Sequence, residues 1–146
     1  MFASYRSIIA LLAGTGFLLA ASGLHSLLLP LRGQEEGFST ASLGLLGTAW
    51  AGGFVAGCYF APFLVRKVGH IRAFASLAAS AAIVALTTGL WIDAGAWIGL
   101  RAATGFTMAG AFMVIESWLN ERATNENRGT VFGLYMMVTY GAITAG

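Results

Sequence analysis

The chain reads as an all-α membrane protein, an antiparallel bundle of transmembrane helices. Three observations predict it. Four apolar runs follow one another, at 7–31, 41–65, 73–92 and 97–119, each near or above the roughly 20 helical residues that cross a bilayer. Hydrophobic residues make up 58% of the 146 and charged ones only 10%, against about 25% charged in a soluble domain. The Lys and Arg residues gather in the short links between runs instead of forming a dense patch, and the net charge is only +2, which argues against nucleic acid as a partner.

Each run in turn supports that class. The first follows Arg6 and has small residues near Ala20–Ser22, as a secretory signal would. It continues to Leu31, far past the roughly 7–15 residues of a signal core, so it reads as a retained span. The second begins after Ser39 and Thr40, either of which can cap a helix N-terminus. It carries Ala49, Gly53 and Gly57 at four-residue spacing, a small-residue face that lets another helix approach closely. Cys58, the single cysteine, reads as a small apolar packer in that span, and it excludes an intrachain disulfide or a cysteine-rich metal site. The third run, 73–92, shows no strand alternation in Leu77–Leu86, which argues against an outer-membrane β-barrel. The fifth run, from Val131 to Gly146, covers only about 24 Å of helix, short of the ~30 Å hydrocarbon core. The expectation is therefore the front part of a longer protein.

Short links at 32–40, 66–72, 93–96 and 120–130 force consecutive helices to run antiparallel. One membrane side receives Arg6, Arg66, Lys67, Arg72, Arg122 and Arg128; the other receives Arg32, with Glu35, Glu36 and Asp93. The positive-inside rule then places the N-terminus in the cytoplasm.

Polar residues inside the spans are the candidate functional groups. Arg101 stands about one turn into the fourth span, where a mid-bilayer charge costs ~2.5–3.5 kcal/mol. It reads either as a cavity-lining cation that meets an anionic solute, or as an arginine snorkelling to the interface beside Trp91 and Trp97. Glu116 lies ~22 Å further along the same helix, too far to pair with Arg101. It is a solvated interfacial acid, a partner for the basic 66–72 link, or a coupling-ion site. Thr15, Ser22, His25 and Ser26 fall within about 100° of arc on the first helix. That stripe fits cavity lining or helix–helix contact, and His25 can titrate near neutral pH in proton coupling or serve as a hydrogen-bonded packer. No phosphate-binding loop, zinc pattern or serine elbow occurs, so neither an enzyme nor a cofactor nor a metal is expected.

Three stretches resemble the major facilitator superfamily of secondary transporters. The family's link between its second and third helices reads roughly G-x-L-a-D-R-x-G-R-R/K, and here residues 62–72 read Pro-Phe-Leu-Val-Arg-Lys-Val-Gly-His-Ile-Arg. Leu64, Lys67 and Gly69 match and Arg72 keeps a later positive charge, while Pro62, Arg66 and His70 depart. A fourth-helix pattern, R-x-x-q-G, is similar to Arg101–Gly105, with Thr104 where glutamine is frequent and Gly110 following. The stretch from Glu116 through Asn125 to Arg128 and Gly129 is similar to a bacterial subgroup with poorly known substrates. The resemblance implies part of the N-terminal six-helix half of a twelve-helix fold in a bacterial inner membrane, with the second half as partner. It also implies a small solute moved by alternating access, optionally with a coupling proton, between cavity residues Arg101, Gly105, Thr15, Ser22 and His25. Arg66, Lys67, Gly69 and Arg72 would then be a cytoplasmic latch, with Glu116 supplying the acid that the link lacks. A non-transporting assembly or sensory module is the alternative.

Overall fold

A computed structural model of the chain describes residues 2–124 and 126–145, with side chains from Ile9 onward. Asn125, Gly146 and the side chain of Arg6, all used in the sequence argument, lie outside the described residues.

Five helices follow in order: α1 Phe2–Glu35, α2 Thr40–Val68, α3 His70–Leu90, α4 Ala94–Arg122 and α5 Arg128–Ala145. The all-helical class is borne out, and α1 to α4 are each long and apolar enough to cross a membrane. Helices α1, α2 and α4 extend past their apolar runs at both ends, whereas α3 starts before its run and stops at Leu90, short of its end. Hydropathy reports where lipid contact stops, whereas a helix continues into the headgroup region as long as its termini find partners.

Those termini are built locally. Ser39 caps α2, its hydroxyl accepting from the Ser42 N–H at 3.2 Å, while Thr40 is already helical. The Asp93 carboxylate does the same for α4, accepting from the Ala96 N–H at 2.7 Å. Between α2 and α3 the link is a single residue. Gly69 has φ 81° and ψ 164°, a conformation essentially reserved for glycine. Its N–H donates to Val65 O at 2.8 Å and its carbonyl accepts from Ala73 N–H at 3.0 Å, so one residue ends one helix and starts the next. The 66–72 stretch is thus two helix ends meeting at Gly69, with Arg66 and Lys67 in the last turn of α2, where cations favour the helix dipole.

The chain divides into two compact units, Met1–Leu28 with Ile115–Gly146, and Leu29–Val114. In the second unit Leu29, Leu46 and Trp97 form one cluster with Phe38 edge-on to Trp97 at 5.0 Å. Ala73, Leu77 and Val114 form another. Large apolar side chains elsewhere point outward, Phe17 at 80% and Leu90 at 88% exposure, as a surface solvated by lipid requires.

Candidate functional site

The second unit holds the tightest helix crossing. A Cβ built on Gly53 would run into the backbone of Ala102, whose carbonyl oxygen is nearest and whose Cα would lie 2.8 Å away. One turn on, a Cβ on Gly57 would meet Phe106 O and, at 2.8 Å, the Ala109 Cβ. The contact is reciprocal, because a Cβ on Gly105 would strike Trp50 O and come within 2.9 Å of Phe54 N. Glycine is needed on both helices, since α2 and α4 touch backbone to backbone. The small-residue face read from α2 is this contact. Gly105, a cavity candidate by resemblance, here serves the crossing.

Arg101 sits one turn before Gly105 on α4, within this packed region. It is 9% exposed, buried rather than at an open interface. The other buried polar residues of the described chain are Thr15, Thr88, Thr104 and Thr107, which makes Arg101 the one charged member of that set. Of the two aromatics offered as snorkelling neighbours, Trp91 is 62% exposed, while Trp97 is 2% exposed and donates from Nε1 to Trp91 O at 2.8 Å.

The buried threonines satisfy themselves. Thr104 donates to Leu100 O at 2.9 Å, Thr107 to Thr104 O at 2.9 Å, and Thr88 to Val84 O at 2.8 Å. Such bonding back into the helix leaves the hydroxyl little capacity to donate to a solute. Trp50 differs, for its buried indole Nε1 has no hydrogen-bond partner among the described residues. Its ring stacks on Phe54 at 5.2 Å. Sequence reasoning passed over Trp50 because an aromatic in an apolar run reads as core; only the missing acceptor marks it.

In the first unit, Thr15 is fully buried and donates to Leu11 O at 2.8 Å. Ser22 and His25 are half-buried on the same stripe of α1. Glu116 accepts from the Tyr135 hydroxyl at 3.2 Å, which ties α4 to α5. Tyr135, 5% exposed, was not singled out from the sequence because nothing in an apolar run says which tyrosine will face a carboxylate. The α4–α5 corner adds Arg128 Nη2 donating to Asn120 Oδ1, the Thr124 N–H donating to Asn127 Oδ1 at 2.8 Å, and the Arg122 guanidinium 5.0 Å above Trp118. An apolar groove of about 630 Å³ runs along α1 and α5, between residues such as Ile9, Phe17, Leu134 and Met137.

Arg66, Lys67 and Arg72 are exposed, and no carboxylate of their own unit pairs with them among the described residues. On the opposite link Arg32 reaches Glu35 at 3.8 Å and also pairs with Glu36. Among the described residues no three His, Cys, Asp or Glu side chains gather closely enough to hold a metal ion.

A family model described as the Major Facilitator Superfamily matches residues 2–146. Curated relatives include proteins named "Uncharacterized MFS-type transporter YcaD" from Salmonella typhimurium and Salmonella typhi, each 30% identical over 137 residues. One of the same name from Escherichia coli O139:H28 is 30% identical over 139 residues. Each alignment covers 92% of this chain and 35% of the relative, so the chain spans about a third of the length of these relatives. No solved structure gives a significant match.

Proposed function

The chain belongs to the Major Facilitator Superfamily, and from that premise we propose that it supplies the first five helices of the N-terminal half of a secondary transporter. That transporter moves a small solute across a bacterial inner membrane by alternating access, with the N-terminus in the cytoplasm. Two halves rock about a site near mid-membrane, and this chain contributes part of one wall. The charge distribution over the links supports the orientation.

One observation carries the reading: among the described residues Arg101 is the one buried cation, and it lies in the most buried of the candidate spans. An ionisable group is retained inside a membrane protein at a cost of ~2.5–3.5 kcal/mol, and such groups characteristically line a solute path. Arg101 would hold an anionic group of the solute or respond to a coupling proton, and Trp50 would add an uncharged donor. Thr15, Ser22 and His25 are the first-helix wall candidates, Gly105 sets how closely that wall packs, and the 66–72 link is the cytoplasmic latch through Arg66, Lys67, Gly69 and Arg72. Glu116 is the candidate acid for that latch.

Arg101→Cys in a Cys58→Ser background tests this, with the protein in vesicles and a hydrophilic thiol reagent outside the bilayer. Labelling well above that of Leu90→Cys, a lipid-facing position, is the expected result. A site as unreactive as Leu90→Cys would overturn the cavity assignment and favour a non-transporting assembly or sensory role. Saturable solute uptake by residues 1–146 alone in liposomes would overturn the partial-wall reading.

A further inference from the structure

The second unit carries a groove that starts at the Gly57–Phe106 contact of the crossing and runs along α2 to Lys67. It has a volume of about 370 Å³ and lies between Gly57, Phe60, Leu64 and Lys67 of α2, Leu77 of α3 and Phe106 of α4. Its walls are apolar over nearly the whole length, and Lys67, at one end, is the one charged residue among those lining it. Phe60 and Phe106 face each other across it with ring centroids 6.3 Å apart. Beside Lys67, the Arg66 guanidinium lies 4.8 Å from the centre of the Phe63 ring, and Arg72 follows across the one-residue link.

Length and charge together select an occupant. From Gly57 to Lys67 the helix advances about 15 Å, the depth of one leaflet of a ~30 Å hydrocarbon core. An apolar channel one leaflet deep, ending at the exposed Lys67 with no carboxylate among its lining residues, complements a molecule with an acyl chain and an anionic head. We propose that this groove is a binding site for one anionic phospholipid, its acyl chain lying along Phe60 and Leu64 and its phosphate facing Lys67. Basic pockets between helices are a recognised form of headgroup site. The small side chain of Ala61 lines the channel, and the rigid rings of Phe60 and Phe106 lose little freedom when a chain lies along them. The proposal needs only that the chain lies in a membrane; it is independent of transport.

The test is native mass spectrometry of the chain released from non-ionic detergent, supplied with phosphatidylglycerol or phosphatidylcholine of identical acyl chains. Phosphatidylglycerol should be retained preferentially, and Lys67→Gln should lower that preference about fivefold, the effect of one basic residue near an anionic headgroup. Lys67→Arg should restore it and Arg32→Gln, on the opposite link, should leave it unchanged. Leu64→Trp, which fills the channel, should reduce retention of both lipids. Equal retention of the two lipids by the wild type, or an unchanged preference in Lys67→Gln, overturns the proposal. So does displacement of the bound lipid by millimolar glycerol phosphate, which would show that the cations read a free phosphate without the chain. Lys67 is exposed, so its variants keep the packed helices, which far-ultraviolet circular dichroism checks.

Discussion

Helices α2 and α4 make an instructive pair. Each has 29 residues, and their most apolar windows have almost the same mean hydropathy, 1.4 and 1.5. Yet 11% of the α2 window is buried against 50% of the α4 window. In water such equality would be surprising, because apolar content drives burial. In lipid it drives nothing between helices, since the acyl chains are as apolar as leucine. What separates the two is where side chains are small. Helix α2 buries a narrow seam, Leu46, Gly53, Gly57 and Ala61, and leaves Val55, Tyr59 and Phe63 outside. Helix α4 buries Ala109, Ala111, Val114, Ile115 and Leu119, together with its arginine and two of its threonines.

The sharpest way to break that contrast is Gly53→Leu. The added side chain meets backbone, which cannot move aside, so the protein should lose about 3 kcal/mol or more and fail to reach the folded peak in detergent size-exclusion chromatography. Next is Gly69→Ala, which has open space around its Cβ but the wrong backbone region. It should cost about 1–2 kcal/mol, read as a lower midpoint in thermal unfolding in micelles. Tyr135→Phe tests how α4 is held at its far end. Losing a hydrogen bond to a carboxylate that bulk solvent can partly rehydrate should cost about 1 kcal/mol, seen as faster exchange of amide protons in the 116–135 region. The smallest effect belongs to Gly52→Ala. Gly52 adjoins Gly53, but nothing lies within 4 Å of its Cβ position. The variant should unfold within about 0.5 kcal/mol of wild type, slightly more stable if anything, because alanine favours the helix. Similar costs at Gly52 and Gly53 would refute the seam.

Much of the architecture was legible beforehand. Runs of apolar residues near or above 20, separated by short links, leave the backbone no arrangement in lipid other than helices. A cap at Ser39 or Thr40 was legible because their hydroxyls can accept from the first free N–H groups of α2, the structure choosing Ser39, and Gly53 with Gly57 because four-residue spacing places them on one face. The site was less so. Resemblance offered Gly105 for the cavity, while its neighbours in space, Trp50 and Phe54, belong to a helix some fifty residues earlier in the chain. Glu116 was offered to the basic link by charge, and what the sequence did not show is that its carboxylate also accepts from the Tyr135 hydroxyl. A carboxylate accepts from any donor that packing brings near, and packing is not written in charge.

The sequence alone determined that this chain is helical, membrane-spanning and organised in antiparallel steps, because the length and oiliness of a segment are properties of that segment. Only the tertiary structure decided that α4 is buried while α2 is a seam, that Gly105 packs, and that Arg101 is enclosed. In a solvent as apolar as the side chains themselves, those choices rest on steric fit between surfaces far apart in the chain, and no single segment contains that information.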